Sequence, residues 1–238
     1  MGEASELQVR ELGCVPYDEA LALQERVVAE RRAGHCPDTL LLLEHPPVVT
    51  QGRSAKPSNL RWTPEEFAQK GVALHEVARG GDVTYHAPGQ LVGYPIVDLA
   101  ARDARDVHAW LRRLEENLGR ALTGLGVAWC RVPGWTGVFV ETPALARARK
   151  IASIGIGVRG WVTYHGFALN VDIDLGGFDC IVPCGLEAVD MTSVAAELGT
   201  SGADCATRTR VAVRAAFEAD LGASGAADED PRSGSAQG

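Results

Sequence analysis

Apolar residues recur near helical spacing in residues 17–33, where Ala20, Leu23, Val27 and Val28 are separated by charged residues. That pattern predicts an amphipathic helix, stopped by Gly34. Thr39 to Glu44 is an apolar run of strand length, which predicts a buried strand. His45-Pro46-Pro47 forces a turn, and Val48 to Gln51 continues extended. Thr63-Pro64-Glu65-Glu66 is a capping box with proline at the first helical position, so a short helix opens there and ends at Gly71. Strands are expected over 72–77, 82–86 and 91–98, broken at Arg79-Gly80-Gly81 and by a turn over 87–90.

The strongest stripe belongs to a helix over 105–124, where Val107, Trp110, Leu111, Leu114, Leu118, Ala121 and Leu125 fall on one side and Gly126 follows. Strand-like segments come next at 127–132, 136–140, 150–158 and 161–172, then a short helix near 193–198 and a longer one near 207–220. Residues 222–238 are small, polar and acidic, and are expected to be a disordered tail. Strands, one long helix and strands again predict an α/β or α+β fold. It would be a mixed β-sheet with packed helices, in one domain over residues 1–221.

Composition narrows the function. The chain has 238 residues, 46% of them hydrophobic, which suits a packed core without a disulfide or metal staple. A net charge of −8 argues against nucleic acid as a partner. No apolar h-region opens the chain, and no run approaches the ~20 residues of a membrane span. The expectation is a soluble cytoplasmic protein, with no membrane partner. No apolar helix face is left unassigned, so a monomer is expected. The cysteines at 14, 36, 130, 180, 184 and 205 form no CxxC pair and are expected to be reduced thiols.

Three segments look wrong for pure scaffold. Arg79-Gly-Gly-Asp-Val-Thr-Tyr-His86 sets paired glycines, which let a backbone approach a ligand closely, beside an arginine and a histidine. Lys150 opens an otherwise apolar strand, Lys-Ile-Ala-Ser-Ile-Gly-Ile-Gly157. Cys184 sits between Pro183 and Gly185, at a bend where a thiol can be reached. Each alone also fits a plain role: a hairpin turn, a solvated lysine, a buried thiol.

Taken together, RGGDVTYHAPGQLVGYP, KIASIGIGV, HGFALNV and PCGL, in this order and spacing, resemble the lipoyl(octanoyl) transferases over residues 8–218. The resemblance implies a fold similar to the biotin- and lipoate-protein ligases. It implies that a cysteine matching Cys184 takes an octanoyl chain from octanoyl-acyl carrier protein, with a lysine matching Lys150 keeping it reactive. The acceptor would be a lysine on the lipoyl domains of 2-oxoacid dehydrogenase E2 subunits or on the glycine cleavage H protein. Substrate-contacting positions would be Arg79, Gly80, Gly81, Asp82, Val83, Thr84, Tyr85 and His86; Ser153, Ile154 and Gly155; and Gly166, Phe167 and Ala168. No cofactor and no metal are implied. The chain departs from the family pattern at Ala87 and over residues 48–53, neither of which touches the proposed dyad.

The chemistry fits these residue types. Thioester exchange onto a thiolate carries little thermodynamic penalty, amide formation then runs downhill, and no GxxxxGK[ST] loop for a nucleotide is present. A free cysteine has a pKa of about 8.5 and is mostly protonated at pH 7. An ammonium ~4 Å away contributes about 4 kcal/mol at an effective dielectric near 20. That is enough to outweigh a moderate desolvation cost. Backbone N–H groups near Cys184 and Gly81 are candidate oxyanion donors, and His86 and His165 either line the pocket or touch substrate. Arg147, Arg149, Lys150 and Arg159 concentrate positive charge, so Arg147 and Arg149 are candidates for steering an acidic carrier. A solvated loop is the plain alternative. The competing readings are an ATP-dependent ligase of similar fold, a non-catalytic acyl-binding protein, and a metal enzyme using His86, His165 and Cys184.

Overall fold

The computed structural model describes residues 7–141, 147–186 and 189–222. The chain runs β1 (Gln8–Cys14), α1 (Tyr17–Arg32), β2 (Thr39–Glu44), β3 (Val48–Gln51), α2 (Pro64–Gln69), β4 (Ala73–Glu76), β5 (Val83–His86), β6 (Gln90–Ile96) and α3 (Val107–Leu125). It continues through β7 (Trp129–Cys130), β8 (Val138–Val140), β9 (Ala148–Arg159), β10 (Val162–Asn170), β11 (Val189–Met191), α4 (Val194–Leu198) and α5 (Ala203–Leu221). The larger sheet has the order β1-β2-β6-β10-β9-β8-β7, with β11 added along β9; the smaller is β4-β3-β5. Both mix parallel and antiparallel pairs.

Strand β2 shows why its run of leucines is unbroken. Successive side chains point to opposite faces. Leu40 and Leu42 join the core beneath α3 and α5, with Trp110, Leu114, Leu118 and Phe217. Leu41 and Leu43 join the core beneath α1, with Ala20, Val27 and Val28. Both faces of the sheet are covered, so neither can be polar. A third cluster, built on Val49, Phe67, Val83, Tyr85, Phe178 and Ile181, fills the small sheet.

The caps read from sequence form as expected. Thr63 and Glu66 close the capping box at α2. The Asp106 carboxylate accepts the N–H groups of His108 and Ala109 and starts α3 there rather than at 105. Gly126, at φ 89°, ends it. Elements without a sequence expectation are β1, an edge strand whose mixed exposure carries a weak apolar signal, and the three-residue β11. The strand expected over 127–132 shrinks to Trp129–Cys130, and Pro133-Gly134 begins a loop instead. The tail expected at 222–238 falls, from 223 onward, outside the described residues. Among the described residues, no helix is long and apolar enough to cross a membrane.

The β9–β10 hairpin lies near the centre of the larger sheet. Its register sets Gly155 opposite Gly166, Ile154 opposite Phe167 and Ser153 opposite Ala168. Gly166 is glycine for a steric reason: a Cβ there would lie 2.2 Å from the Gly93 carbonyl oxygen of β6. Backbone cannot swing aside as a long side chain can. Gly124, exposed near the end of α3, has no neighbour around such a Cβ. Gly166→Ala is therefore expected to cost at least the ~1–3 kcal/mol of overpacking. Gly124→Ala is expected to stabilise by about 0.5–1 kcal/mol. Urea unfolding of the two variants checks both signs.

Candidate active site

Lys150 sits on the inner face of β9 and is 1% exposed. Its Nζ donates to the Thr136 carbonyl at 3.0 Å and to Cys184 Sγ at 3.2 Å, and lies 5.5 Å from the centre of the Phe139 ring. The lysine fits because residue 137 is glycine: a Cβ there would stand 2.7 Å from Lys150 Cε and 2.6 Å from the Ala152 carbonyl oxygen. Gly137 also adopts φ +127°, which an L side chain resists.

Cys184 occupies a tight turn over Pro183–Gly185 and has φ 56°, unusual for a residue with a side chain. Gly185 is left-handed as well. The turn is held from two sides. Val182 N–H donates to the Asn59 carbonyl at 2.8 Å, and Asn59 Nδ2 donates to Asp82 Oδ2 at 2.6 Å. Asp82 Oδ1 also accepts the N–H of Val83 at 2.7 Å, so Asn59 bridges the Asp82 carboxylate to the residue that enters the cysteine turn. Ser153 Oγ lies 3.8 Å from the sulfur.

These contacts set the state of the thiol. Burial raises its pKa most, but the Lys150 charge, hydrogen bonds from Lys150 and Ser153, and the Arg79 charge together pull it below the ordinary thiol value. Cys180 nearby goes the other way, pushed up to about 11 chiefly by burial. Cys14, Cys36 and Cys130 are also raised, burial being the main cause.

A cavity of about 220 Å³ opens beside the sulfur. The loop and strand β5 contribute Arg79, Gly81, Asp82, Thr84 and His86; β9 contributes Lys150, Ser153, Ile154 and Gly155; β10 contributes Gly166, Phe167 and Ala168. Three expected positions are not among the residues that line the cavity. Val83 and Tyr85 point to the opposite face of β5 and pack in the third core cluster, Tyr85 against Phe178. Gly80 braces the loop by donating to the Ile156 carbonyl at 2.8 Å. Sequence reasoning did not single out Tyr17, Val92, Tyr94, Trp135 and Thr136, which also line the cavity. The glycines flanking Trp135-Thr136 were the available signal for that loop.

Arg79 is buried, with Nη2 donating to the Thr50 carbonyl and hydroxyl, each at 2.8 Å. The Thr50 hydroxyl is 3.4 Å from His86 Nε2. Gln90 is oriented by donating to the Tyr85 carbonyl and Asn170, so its Oε1 accepts from His86 Nδ1 at 2.7 Å. Its partners fix this imidazole as the Nδ1–H tautomer. Burial pushes the pKa of both His86 and His165 down to about 3. They are neutral lining groups and weak proton acceptors at pH 7.

Arg147 and Arg149, expected to steer a carrier, form ion pairs with Asp190 (2.9 Å) and Glu197 (2.7 Å), which reduces the positive field they project. Among the described residues, no group of three or more His, Cys, Asp or Glu side chains is arranged to hold a metal.

The mixed sheet with its packed helices finds its counterpart in known proteins. Residues 16–216 match the lipoyl protein ligase A/B catalytic domain. The bipartite lipoate protein ligase of Thermoplasma acidophilum shares the fold, with a TM-score of 0.69, 17% identity, and 91% of this chain and 84% of that one covered. A lipoate-protein ligase A solved with ATP gives 0.68, 18% identity, and 91% and 85%. The octanoyltransferase of Geobacter metallireducens is 48% identical over 193 residues, 81% of this chain and 84% of its own. That of Chloroflexus aurantiacus is 48% identical over 198 residues, 83% and 86%. The chain belongs to the octanoyltransferase family, acyltransferases of protein lipoylation.

The buried neutral histidines make stability depend on acid. The unfolded chain binds protons at His86 and His165 near the ordinary pKa of 6.5, whereas the folded chain resists until about 3. Their stability contribution is full above pH 6.5 and is lost as pH falls toward 3. At pH 5.5 the pair is expected to remove roughly 3 kcal/mol relative to pH 7.5. Urea unfolding at both pH values, repeated on His86→Gln with His165→Asn, should show the difference and its loss. An equal difference in the double variant would assign it to other groups.

Proposed function

We propose that this chain takes an octanoyl group from octanoyl-acyl carrier protein onto Cys184 as a thioester, and passes it to a lysine of a lipoyl domain. The acceptors would be the lipoyl domains of 2-oxoacid dehydrogenase E2 subunits and the glycine cleavage H protein. The observation that carries the reading is the 3.2 Å contact between Lys150 Nζ and Cys184 Sγ beside a cavity of acyl size.

The steps follow from that contact. The thiolate attacks the donor carbonyl, and a tetrahedral oxyanion forms. Its collapse expels the carrier thiolate, which takes a proton from the Lys150 ammonium, leaving an octanoyl-cysteine and a neutral Lys150 amine. The acceptor lysine amine then attacks the thioester carbon. Lys150 recovers a proton from the attacking nitrogen as the amide forms and the Cys184 thiolate leaves. The enzyme ends as it began, and the donor thioester supplies the free energy, so the scheme needs no nucleotide. Ile154, Phe167 and Ala168 give the cavity an apolar wall. Burying the seven apolar carbons of an octanoyl tail contributes on the order of 5 kcal/mol to holding the donor.

Incubation with octanoyl-loaded carrier protein, quenched before acceptor is added, should leave one octanoyl adduct, mapped to Cys184. Cys184→Ala should show neither adduct nor transfer. Lys150→Met should retain the fold and lower transfer by about 10²–10⁴-fold. An adduct on another cysteine, or transfer that requires ATP, would defeat the assignment.

A further inference from the structure

Helix α3 presents its apolar stripe to the sheet, yet Glu115 on it is fully buried. A buried ion cluster is a poor device for stability, since apolar residues of similar volume commonly do as well. What Glu115 touches points elsewhere. Its Oε2 accepts from Arg112 Nη1 at 2.6 Å and from Arg131 Nε at 3.0 Å. Its Oε1 accepts the Gly137 N–H at 3.1 Å. That N–H and the Thr136 carbonyl belong to one peptide group, and the Thr136 carbonyl is the acceptor that holds Lys150 Nζ at 3.0 Å. A single peptide plane thus stands between a buried carboxylate and the ammonium beside Cys184.

We propose that Glu115 is the positioning residue of the site: it fixes and polarises the 136–137 peptide so that its carbonyl holds the Lys150 ammonium against the sulfur. The inference rests on the lysine–cysteine reading and adds a residue to it. Two effects act together. A carboxylate accepting from an amide N–H increases the negative charge on the carbonyl of the same group, because linked hydrogen bonds polarise one another. The same bond holds in place a loop that Gly137, at φ +127°, would otherwise leave free to turn. Arg112 and Arg131 anchor the carboxylate from its outer side, at positions half and one-third exposed.

The rate of Cys184 alkylation by iodoacetamide against pH, measured on the full chain, reports thiolate formation. Lys150→Met is expected to move the profile to higher pH than wild type. Glu115→Gln, which leaves Lys150 and Cys184 in place, is expected to move it in the same direction by less. Its kcat should fall roughly ten- to a hundredfold, with KM for the octanoyl donor unchanged. A folded Glu115→Gln protein with the wild-type profile and kcat overturns the proposal, and so does one that is merely less stable. If that variant does not fold, Arg131→Gln carries the test. A smaller rise supports the proposal, and an unchanged profile overturns it. Should Lys150→Met itself leave the profile unmoved, the lysine–cysteine reading fails, and that outcome is distinct from a failure at Glu115 alone.

Discussion

One contact governs the site: an ammonium and a thiol 3.2 Å apart, the lysine buried and the cysteine half-buried. In bulk solvent the attraction between such charges is about 1 kcal/mol and would leave a thiol mostly protonated. At the edge of a protein interior it is several times larger, and it competes with the cost of burying the sulfur. Burial is the largest influence on Cys184, and it raises the pKa. The pKa nevertheless falls below the ordinary thiol value, because a lysine, a serine hydroxyl and a more distant arginine act on the sulfur together. Cys180, close in sequence, is held protonated because burial outweighs the weaker pull of Arg61. Burial alone therefore raises a thiol's pKa, and a cation placed against the sulfur lowers it.

The architecture is arranged to hold that cation. Lysine is rarely buried, and Lys150 is tolerated on β9 because its ammonium is satisfied by a carbonyl on one side and the sulfur on the other. Gly137 clears space for its stem, and Gly155 lets the 79–81 loop close onto β9, where a Cβ would stand 2.7 Å from the Gly80 carbonyl oxygen. Cys184 itself is held in a left-handed conformation that costs a non-glycine residue about 1–2 kcal/mol. The turn is tied down where Val182 N–H donates to the Asn59 carbonyl, and Asn59 is itself held by donating from Nδ2 to the Asp82 carboxylate. Strain of this kind at one residue is the pattern expected of a functional site.

The patterns most legible in the sequence are those with a repeating physical cause. The α3 stripe, the unbroken β2 run and the capping box of α2 each follow from burial or capping, and each formed where expected. The motif residues of the site were legible as positions, and most of them surround the cavity. Their division of labour was not. Alternation along β5 sends Thr84 and His86 to the cavity and Val83 and Tyr85 to the core, which a contiguous motif cannot reveal. Tyr17, Tyr94 and Trp135 reach the site from three separate elements, so only the fold brings them together. Strand β1 escaped notice because an edge strand with mixed exposure lacks the contrast on which periodicity depends. Glu115 interrupts an otherwise apolar stripe, and only its tertiary partners distinguish it from an ordinary charged residue.

The most direct test is the ionisation of the sulfur itself. Titration of the protein labelled with ¹³Cβ-cysteine, followed by NMR with Cys184→Ser to assign the signal, reads it without a chemical reporter. The midpoint for Cys184 should fall below the ordinary cysteine value of about 8.5 and rise when Lys150 is replaced by methionine. A midpoint at or above that value in the wild-type protein, or one indifferent to Lys150, would contradict the account.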